Sequence, residues 1–333
     1  MGCPQATGNK GKSLTMTSYD ALTRQILQDC VGQMPVAAQS DWPGEILRQA
    51  PDAAAILYYG SGMWEKCDSE TVHDFYVLVE QYKDYDDRRL RCLLGRILPP
   101  NVYFRLLPRQ DANTSPLKAK ITVMRLDQYR TQAAGKARTP QIWARFCQPC
   151  RLVYARDDQA RDCVLAALKS AVITFHENNL LLMPARFTPR QLWIDGLKRS
   201  YACEWRGEDE RRIIKLVDTP PPCLTKRTEK VLPHLDAPVY LDDDGLNLIS
   251  DIPDKQRRKA RRRFGWYRRL SKAVTLIRLL KASFTFDGAV DYALWKIKRQ
   301  SGVEVQASNF QRRHPLIGCW PLLFEVIRKG GLR

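Results

Sequence analysis

The hydrophobic residues of segment 17–156 follow two different patterns, one typical of helices and one typical of strands. Apolar side chains recur at helical spacing over 17–34, whereas 53–59 and 72–80 are rich in the β-branched and aromatic residues typical of strands. We also predict helices over 85–97 and after Pro140, and strands over 102–107, 120–124 and 151–154. This mixture predicts an α/β (α+β) domain of ordinary size.

The pattern changes twice further along the chain. Residues 157–218 have helical periodicity, and the sequence Thr-Pro-Pro-Pro-Cys at 219–223 predicts a stiff linker after them. An acidic run at 242–244 is expected in an exposed connection. The sequence therefore predicts three parts, with boundaries at 17–156, 157–218 and 219–333.

Positive charge is concentrated in the third part. The 333 residues include 54 Lys and Arg against 36 Asp and Glu, which gives a net charge of +18. Twelve of these basic residues, and no acidic one, lie between 255 and 286. Phosphates, nucleic acids and anionic lipid surfaces are the partners that such a block attracts.

The basic block is also amphipathic. Its aromatic residues are Phe264, Trp266 and Tyr267, and a helical stripe follows at Leu270, Val274, Ile277 and Leu280, with Lys272 and Lys281 beside it. No apolar run reaches the roughly 20 residues of a membrane-spanning helix. We favour a helix that lies at a membrane interface. The alternative is a basic surface helix whose stripe packs on the protein itself.

A turn with candidate chemistry follows the first predicted strand. Tyr59, Gly60, Ser61 and Gly62 form this turn, and Asp74 lies on the next strand. Glycine lets backbone N–H groups approach a triphosphate, and a neighbouring carboxylate can hold Mg²⁺ against the phosphates. Polymerase-β-like nucleotidyltransferases use this arrangement. The alternative is an ordinary hairpin turn beside an edge aspartate.

The second acid of that superfamily is missing from its usual place. It normally lies two residues after the first, where this chain has Tyr76. Glu80 would lie on the same strand face as Asp74. However, it is six residues further along the strand, about 20 Å away, which is too far to share a metal ion with Asp74. The partner acid must therefore come from another part of the chain. His73 is expected on the opposite strand face, in a structural role.

An ordered set of motifs across 53–217 resembles the mitochondrial-type phosphatidate cytidylyltransferases, the translocator-maintenance family, and their bacterial relatives. The matching segments are 59–62, 74–75, 102–104, 120–124, 145–153 and 179–188. The most specific one is 200–209, Ser-Tyr-Ala-Cys-Glu-Trp-Arg-Gly-Glu-Asp. Here Cys203 replaces the family's Gly, and Glu204 replaces its Asp.

This resemblance implies a fold and a reaction. The fold is a polymerase-β-like nucleotidyltransferase domain, a small winged-helix-like helical domain and a basic amphipathic C-terminal region that contacts the membrane. The reaction joins CTP to phosphatidic acid with Mg²⁺, and gives CDP-diacylglycerol and pyrophosphate. The implied partners are CTP and phosphatidic acid in an anionic membrane, and no nucleic acid is expected.

The resemblance also gives roles to individual residues. For CTP it implies Tyr59, Gly60, Ser61 and Gly62 at the phosphates, with Lys120 and Arg145 neutralising their charge. For catalysis it implies Asp74, Glu204 and Arg206, with Asp74 and Glu204 as Mg²⁺ ligands. The alternatives without a functional role are solvated side chains for Lys120 and Arg145, and an interdomain salt bridge for Glu204 and Arg206.

Two other functional classes remain open on the sequence. An RNA-directed nucleotidyltransferase would use the same turn, aspartate and basic region. A non-enzymatic membrane-binding module would explain the missing second acid. The polar N-terminal segment 1–16 lacks the apolar stretch of a secretory signal. We expect a peripheral protein on the cytoplasmic face of a bacterial inner membrane, with the matrix side of the mitochondrial inner membrane as the alternative.

Overall fold

The structure of the chain is a computed structural model. It describes residues 19–31, 42–63, 71–107, 116–204, 210–219, 223–285 and 306–313, together with positions 290, 294 and 328. The predicted site residue Arg206 lies outside these residues, and so do the side chains of Ser61 and Leu280.

Five strands form a mixed sheet in the order β3-β4-β2-β1-β5. The strands are β1 (Ala55–Tyr59), β2 (Val72–Val79), β3 (Asn101–Leu107), β4 (Leu117–Arg125) and β5 (Arg151–Ala155). β2 and β4 run parallel, and the other three pairs are antiparallel. The prediction of a mixed α/β domain is confirmed, and each predicted strand lies within two or three residues of its observed position.

The described residues also form α-helices, which are interspersed with the strands along the chain. They are α1 (Ala21–Val31), α2 (Trp42–Gln49), α3 (Arg89–Ile97), α4 (Leu126–Ala133), α5 (Gln141–Phe146), α6 (Asp158–Leu180), α7 (Pro189–Tyr201), α8 (Glu210–Asp218), α9 (Cys223–Val231), α10 (Asp254–Thr285) and α11 (Asn309–Arg313). Side chains cap the N-terminal ends of α6 and α7. The Asp157 carboxylate accepts from Ala160 N–H at 2.7 Å, and the Thr188 hydroxyl accepts from Gln191 N–H at 3.0 Å.

Both faces of the sheet are covered, so alternate residues of each strand enter different cores. Leu57, Tyr76 and Leu78 pack with residues of α1, α4, α5 and α6. Phe75 and Val77 pack on the other face, where α2 contributes its apolar side chains. His73 is buried on this second face with its Nδ1 3.2 Å from the Tyr58 hydroxyl, as predicted from strand parity.

A second, small sheet joins distant parts of the chain. It consists of β6 (Arg186–Phe187), β7 (Val239–Leu241) and β8 (Leu248–Ser250), in the order β6-β8-β7. The acidic run at 242–244 lies in the turn between β7 and β8, and Asp242 accepts there from the backbone N–H of Leu246 and Asn247. This sheet therefore pairs residues from both sides of the predicted boundary at 218.

A buried ion pair ties α9 to the first part of the chain. Nε and Nη2 of Arg227 donate to the Asp29 carboxylate on α1 at 2.9 and 2.6 Å, and Nη1 donates to the carbonyl of Cys147. Both charged side chains are almost fully buried. Burial of a charge is tolerated only while its partner is present.

We therefore expect Arg227→Met to lower the free energy of unfolding by about 3–5 kcal/mol, because it leaves the Asp29 carboxylate buried alone. Urea denaturation monitored by circular dichroism measures this change. The matched control is Arg190→Met, which breaks the exposed ion pair with Asp218 and should cost at most about 1 kcal/mol. Equal effects of the two substitutions would contradict the prediction.

Candidate functional site

The turn after β1 brings its backbone against one carboxylate. Gly60 has φ +90°, a conformation that favours glycine, and the N–H of Met63 closes the turn on the Gly60 carbonyl at 3.1 Å. Asp74 is the partner of Tyr59 in the antiparallel ladder. A Cβ atom on Gly60 would lie 2.8 Å from Oδ2 of Asp74. The carboxylate therefore points at the turn, and the absence of a side chain at position 60 makes room for it.

Lys120 lies beside this carboxylate because β2 and β4 are parallel and in register. Asp74 pairs with Lys120 in the ladder, so both side chains leave the same face of the sheet. Nζ of Lys120 lies 2.7 Å from Oδ1 of Asp74, and each side chain is 23% exposed. Burial acts to lower the pKa of Lys120, but the charge and hydrogen bond of Asp74, together with Tyr59, act to raise it, and the pKa ends above its ordinary value. Lys120 is therefore a charged ammonium group.

Arg145 reaches the same region from α5. Its guanidinium lies over the Tyr59 ring, with Cζ 5.2 Å from the ring centroid. Burial acts to lower the pKa of Arg145, while Tyr59, Tyr76, Glu204 and Asp74 act to raise it, and the pKa ends above its ordinary value. The residue is thus a fixed positive charge above the Tyr59 ring, and both predicted acids act on it electrostatically. This environment differs from that of a solvated helix arginine, which was the alternative without a functional role.

Tyr76 occupies the position where the second acid was missing. Its hydroxyl and that of Tyr59 are buried without a hydrogen-bond partner among the described residues. Burial raises the pKa of Tyr76 to about 12, although the charges of Arg145, Lys120 and Arg278 act to lower it. Tyr76 is therefore a neutral hydroxyl group surrounded by cations.

Glu204 follows the end of α7. Its N–H donates to the carbonyl of Tyr201 at 2.9 Å, and the Tyr201 hydroxyl accepts from Gln148 beside α5 at 3.4 Å. The Glu204 charge acts on both Arg145 and Arg278. Asp74 and Lys120 are therefore in direct contact, whereas Glu204 acts on Arg145 only through longer-range electrostatics.

Comparisons with known proteins assign no family to the chain. No family model and no curated protein matches its sequence. What the site can do has to follow from its own residues and geometry. A glycine turn, a carboxylate and several partly buried cations form a set suited to a polyphosphate.

The residues around Asp74 fit a divalent cation only when a ligand completes the site. The described residues contain no group of three or more His, Cys, Asp or Glu that could hold a metal ion. Mg²⁺ is usually bound by one or two carboxylates together with substrate phosphates and waters. Asp74 can supply one carboxylate oxygen, because Oδ2 faces the turn while Oδ1 pairs with Lys120.

The long helix α10 borders the site through polar side chains. The Ser271 hydroxyl donates to the Arg138 carbonyl at 2.9 Å, and Nζ of Lys281 donates to the carbonyls of Leu98 and Pro100 at 2.7 and 2.9 Å. Between them, Nη1 of Arg278 donates to Thr139 and Gln141. In the sequence, Arg278 is only one member of the basic block, because its inward direction depends on these distant partners.

The outer face of α10 carries apolar side chains. Trp266 is 73% exposed and Ile277 is 53% exposed, with Leu270 exposed between them. Val274, the remaining described member of the predicted stripe, is half-buried. Among the described helices, none is both long enough and apolar enough to cross a membrane.

A separate cavity of about 320 Å³ lies on the opposite face of the sheet. Charged side chains of both signs line it, including Lys83, Asp86, Arg91 and Arg105. Asp86 is already paired there with Arg91 at 2.9 Å. None of the predicted site residues borders this cavity, so we do not assign the chemistry to it.

Proposed function

We propose that the protein is a phosphatidate cytidylyltransferase, which transfers CMP from CTP to phosphatidic acid and releases pyrophosphate. One observation carries this proposal: the Asp74 carboxylate is held against the Gly60 turn, with Lys120 paired to it and Arg145 over the neighbouring Tyr59 ring. The mixed five-stranded sheet supports a polymerase-β-like nucleotidyltransferase domain. The ordered motifs described above favour a lipid acceptor.

The chain's own groups would hold the nucleotide. The backbone of residues 60–62, with Tyr59 shaping the turn, would approach the phosphates. Lys120 and Arg145 would offset the negative charge of the triphosphate, and Arg145 can bind two oxygens at once. Asp74 would hold Mg²⁺, with Glu204 as the proposed second ligand. The ion, when bound, would neutralise charge on the phosphates.

The proposed reaction is a direct in-line displacement. A phosphate oxygen of phosphatidic acid forms a bond to the α-phosphorus of CTP, and the bond from this phosphorus to the bridging oxygen breaks, so that pyrophosphate leaves. The attacking phosphate is already ionised near neutral pH, so the residues mainly position it and offset charge. Arg206 would assist from the second domain.

A protein nucleophile is not needed for this route, and the nearby thiols do not suit that role. Burial raises the pKa of Cys203 to about 11, and it raises the pKa of Cys147 further. A thiol with a raised pKa has little of the reactive thiolate at neutral pH. These cysteines are better described as parts of the core, which supports transfer in a single step.

The acceptor lies in a bilayer, and α10 supplies a surface suited to one. Trp266, Leu270 and Ile277 are exposed on a helix that also carries many arginines, an arrangement typical of interfacial helices. Each basic residue near an anionic surface contributes about 1 kcal/mol. We propose that the protein binds the cytoplasmic face of a bacterial inner membrane through this helix.

Replacing exposed apolar residues of α10 should weaken membrane binding. We expect Trp266→Ser combined with Ile277→Ser to lower the fraction bound to liposomes containing phosphatidic acid by about tenfold or more, because two interfacial side chains are lost. Liposome flotation measures this fraction. The matched control is Tyr240→Ser with Leu246→Ser, which removes an aromatic side chain of β7 with 51% exposure and an aliphatic one of the β7–β8 turn with 69% exposure. Equal losses in the two variants would contradict membrane docking by α10.

The acceptor class is tested by offering both candidates. The protein is incubated with Mg²⁺ and CTP labelled at the α-phosphorus, together with phosphatidic acid liposomes and RNA. The proposal predicts label in the lipid fraction. Label only in RNA would favour the RNA-directed nucleotidyltransferase, and label in neither would favour a membrane-binding module.

A further inference from the structure

Arg278 is a cation of α10 whose hydrogen-bonding capacity is only partly used. Nη1 donates to the Thr139 hydroxyl at 3.0 Å and to the Gln141 side-chain carbonyl at 2.7 Å. Nε is buried and has no hydrogen-bond partner among the described residues. A buried unsatisfied donor on a guanidinium group is costly, so a small shift of the side chain that turns this N–H towards an anionic ligand would be favourable.

The surroundings of Arg278 place it at one side of the candidate site. Gln141, which accepts from Arg278, lies four residues before Arg145 on α5, so both arginines meet the same side of that helix. The charge of Glu204 acts on Arg278, and the Tyr76 hydroxyl is buried without a partner among the described residues. Lys120, in contrast, pairs directly with Asp74 beside the Gly60 turn. The cations are therefore divided between the turn, where the triphosphate would bind, and the edge formed by α10.

The same helix presents different chemistry on its two sides. Ile277 is exposed on the outer face, whereas the next residue, Arg278, turns inward to Thr139 and Gln141. A lipid whose acyl chains lie against the outer face would bring its headgroup to this edge of the site. In-line transfer also requires the acceptor phosphate to lie on the side opposite the leaving pyrophosphate.

We infer that Arg278 binds the phosphomonoester headgroup of the lipid acceptor, and so couples membrane docking of α10 to the reaction. This inference rests on the proposed function and adds an acceptor-binding residue to it. Arg278 donates in a planar fork that matches phosphate oxygens, and its bonds to Thr139 and Gln141 hold it in position.

The test separates the headgroup from the bilayer. The acceptor is dihexanoyl phosphatidic acid, used as dispersed monomers, and the KM values for this lipid and for CTP are measured. We expect Arg278→Gln to raise the KM for the lipid by about 10- to 100-fold, because a charge-assisted hydrogen bond is lost, and to leave the KM for CTP unchanged. Arg278→Lys, which keeps the charge but loses the fork, should give an intermediate value.

The matched control is Arg258→Gln, which removes the same charge from an exposed position of the same helix. It should leave both KM values unchanged. An unchanged lipid KM in Arg278→Gln, or an equal rise in the KM for CTP, would overturn the inference and leave the proposed function intact. No product from the unaltered protein would contradict both.

Discussion

Asp74→Asn is expected to abolish cytidylyl transfer while the protein stays folded. The substitution keeps the shape of the side chain but removes the negative charge that faces the Gly60 turn. Loss of a metal-binding carboxylate removes several kcal/mol of transition-state stabilisation, so kcat/KM should fall by about 10³-fold or more. Initial rates of CDP-diacylglycerol formation measure this loss.

The matched control for this prediction is Glu80→Gln, which neutralises an acid just beyond the other end of the same strand. Glu80 is exposed, and its ion pair with Arg156 at 3.3 Å lies away from the turn. We expect activity within about twofold of the unaltered protein, because exposed pairs contribute little. A fall of the same size in both variants would show that Asp74 acts only through the charge or the stability of the strand.

Gly60→Ala is expected to lower activity by about 10²-fold, because the new Cβ would lie 2.8 Å from Oδ2 of Asp74 and would displace the carboxylate. Misplacement of a reacting group by about 1 Å is enough for such a loss. The change also places alanine at φ +90°, which adds strain of about 1–2 kcal/mol. Activity and thermal unfolding are measured on the same samples.

Gly245→Ala is the control that separates backbone strain from displacement of the Asp74 carboxylate. Gly245 has φ +68°, and a Cβ there would meet nothing within 4 Å. Both alanine variants should therefore lose similar stability, but only Gly60→Ala should lose activity. If Gly60→Ala kept full activity, the close approach of the turn to Asp74 would have no part in the reaction.

Local sequence patterns predicted the strand geometry around Asp74. Strand periodicity was enough to place Asp74 and Tyr76 on one face and His73 on the other, because side chains alternate strictly along a strand. The glycine after β1 indicated a tight turn for the same local reason. Whether the Asp74 carboxylate meets that turn depended on the ladder register between β1 and β2, which a single strand does not reveal.

The longer-range features could not be predicted in this way. The small sheet has strands of two or three residues, too short for a visible period, and it joins Arg186 to Ile249. Arg227 and Asp29 are separated by 198 positions in the sequence, and nothing local links them. The amphipathic pattern predicted the apolar stripe of α10. It did not predict that the helix contacts the rest of the protein through polar groups such as Arg278.

The central claim is that the Asp74–Gly60 site transfers a cytidylyl group to phosphatidic acid. Mass spectrometry of the lipids and a pyrophosphate assay, run on one reaction, test it most directly. The account predicts CDP-diacylglycerol and pyrophosphate in equal amounts with the unaltered protein, and neither with Asp74→Asn. Equal product yields from the two proteins, or pyrophosphate released without the lipid product, would contradict it.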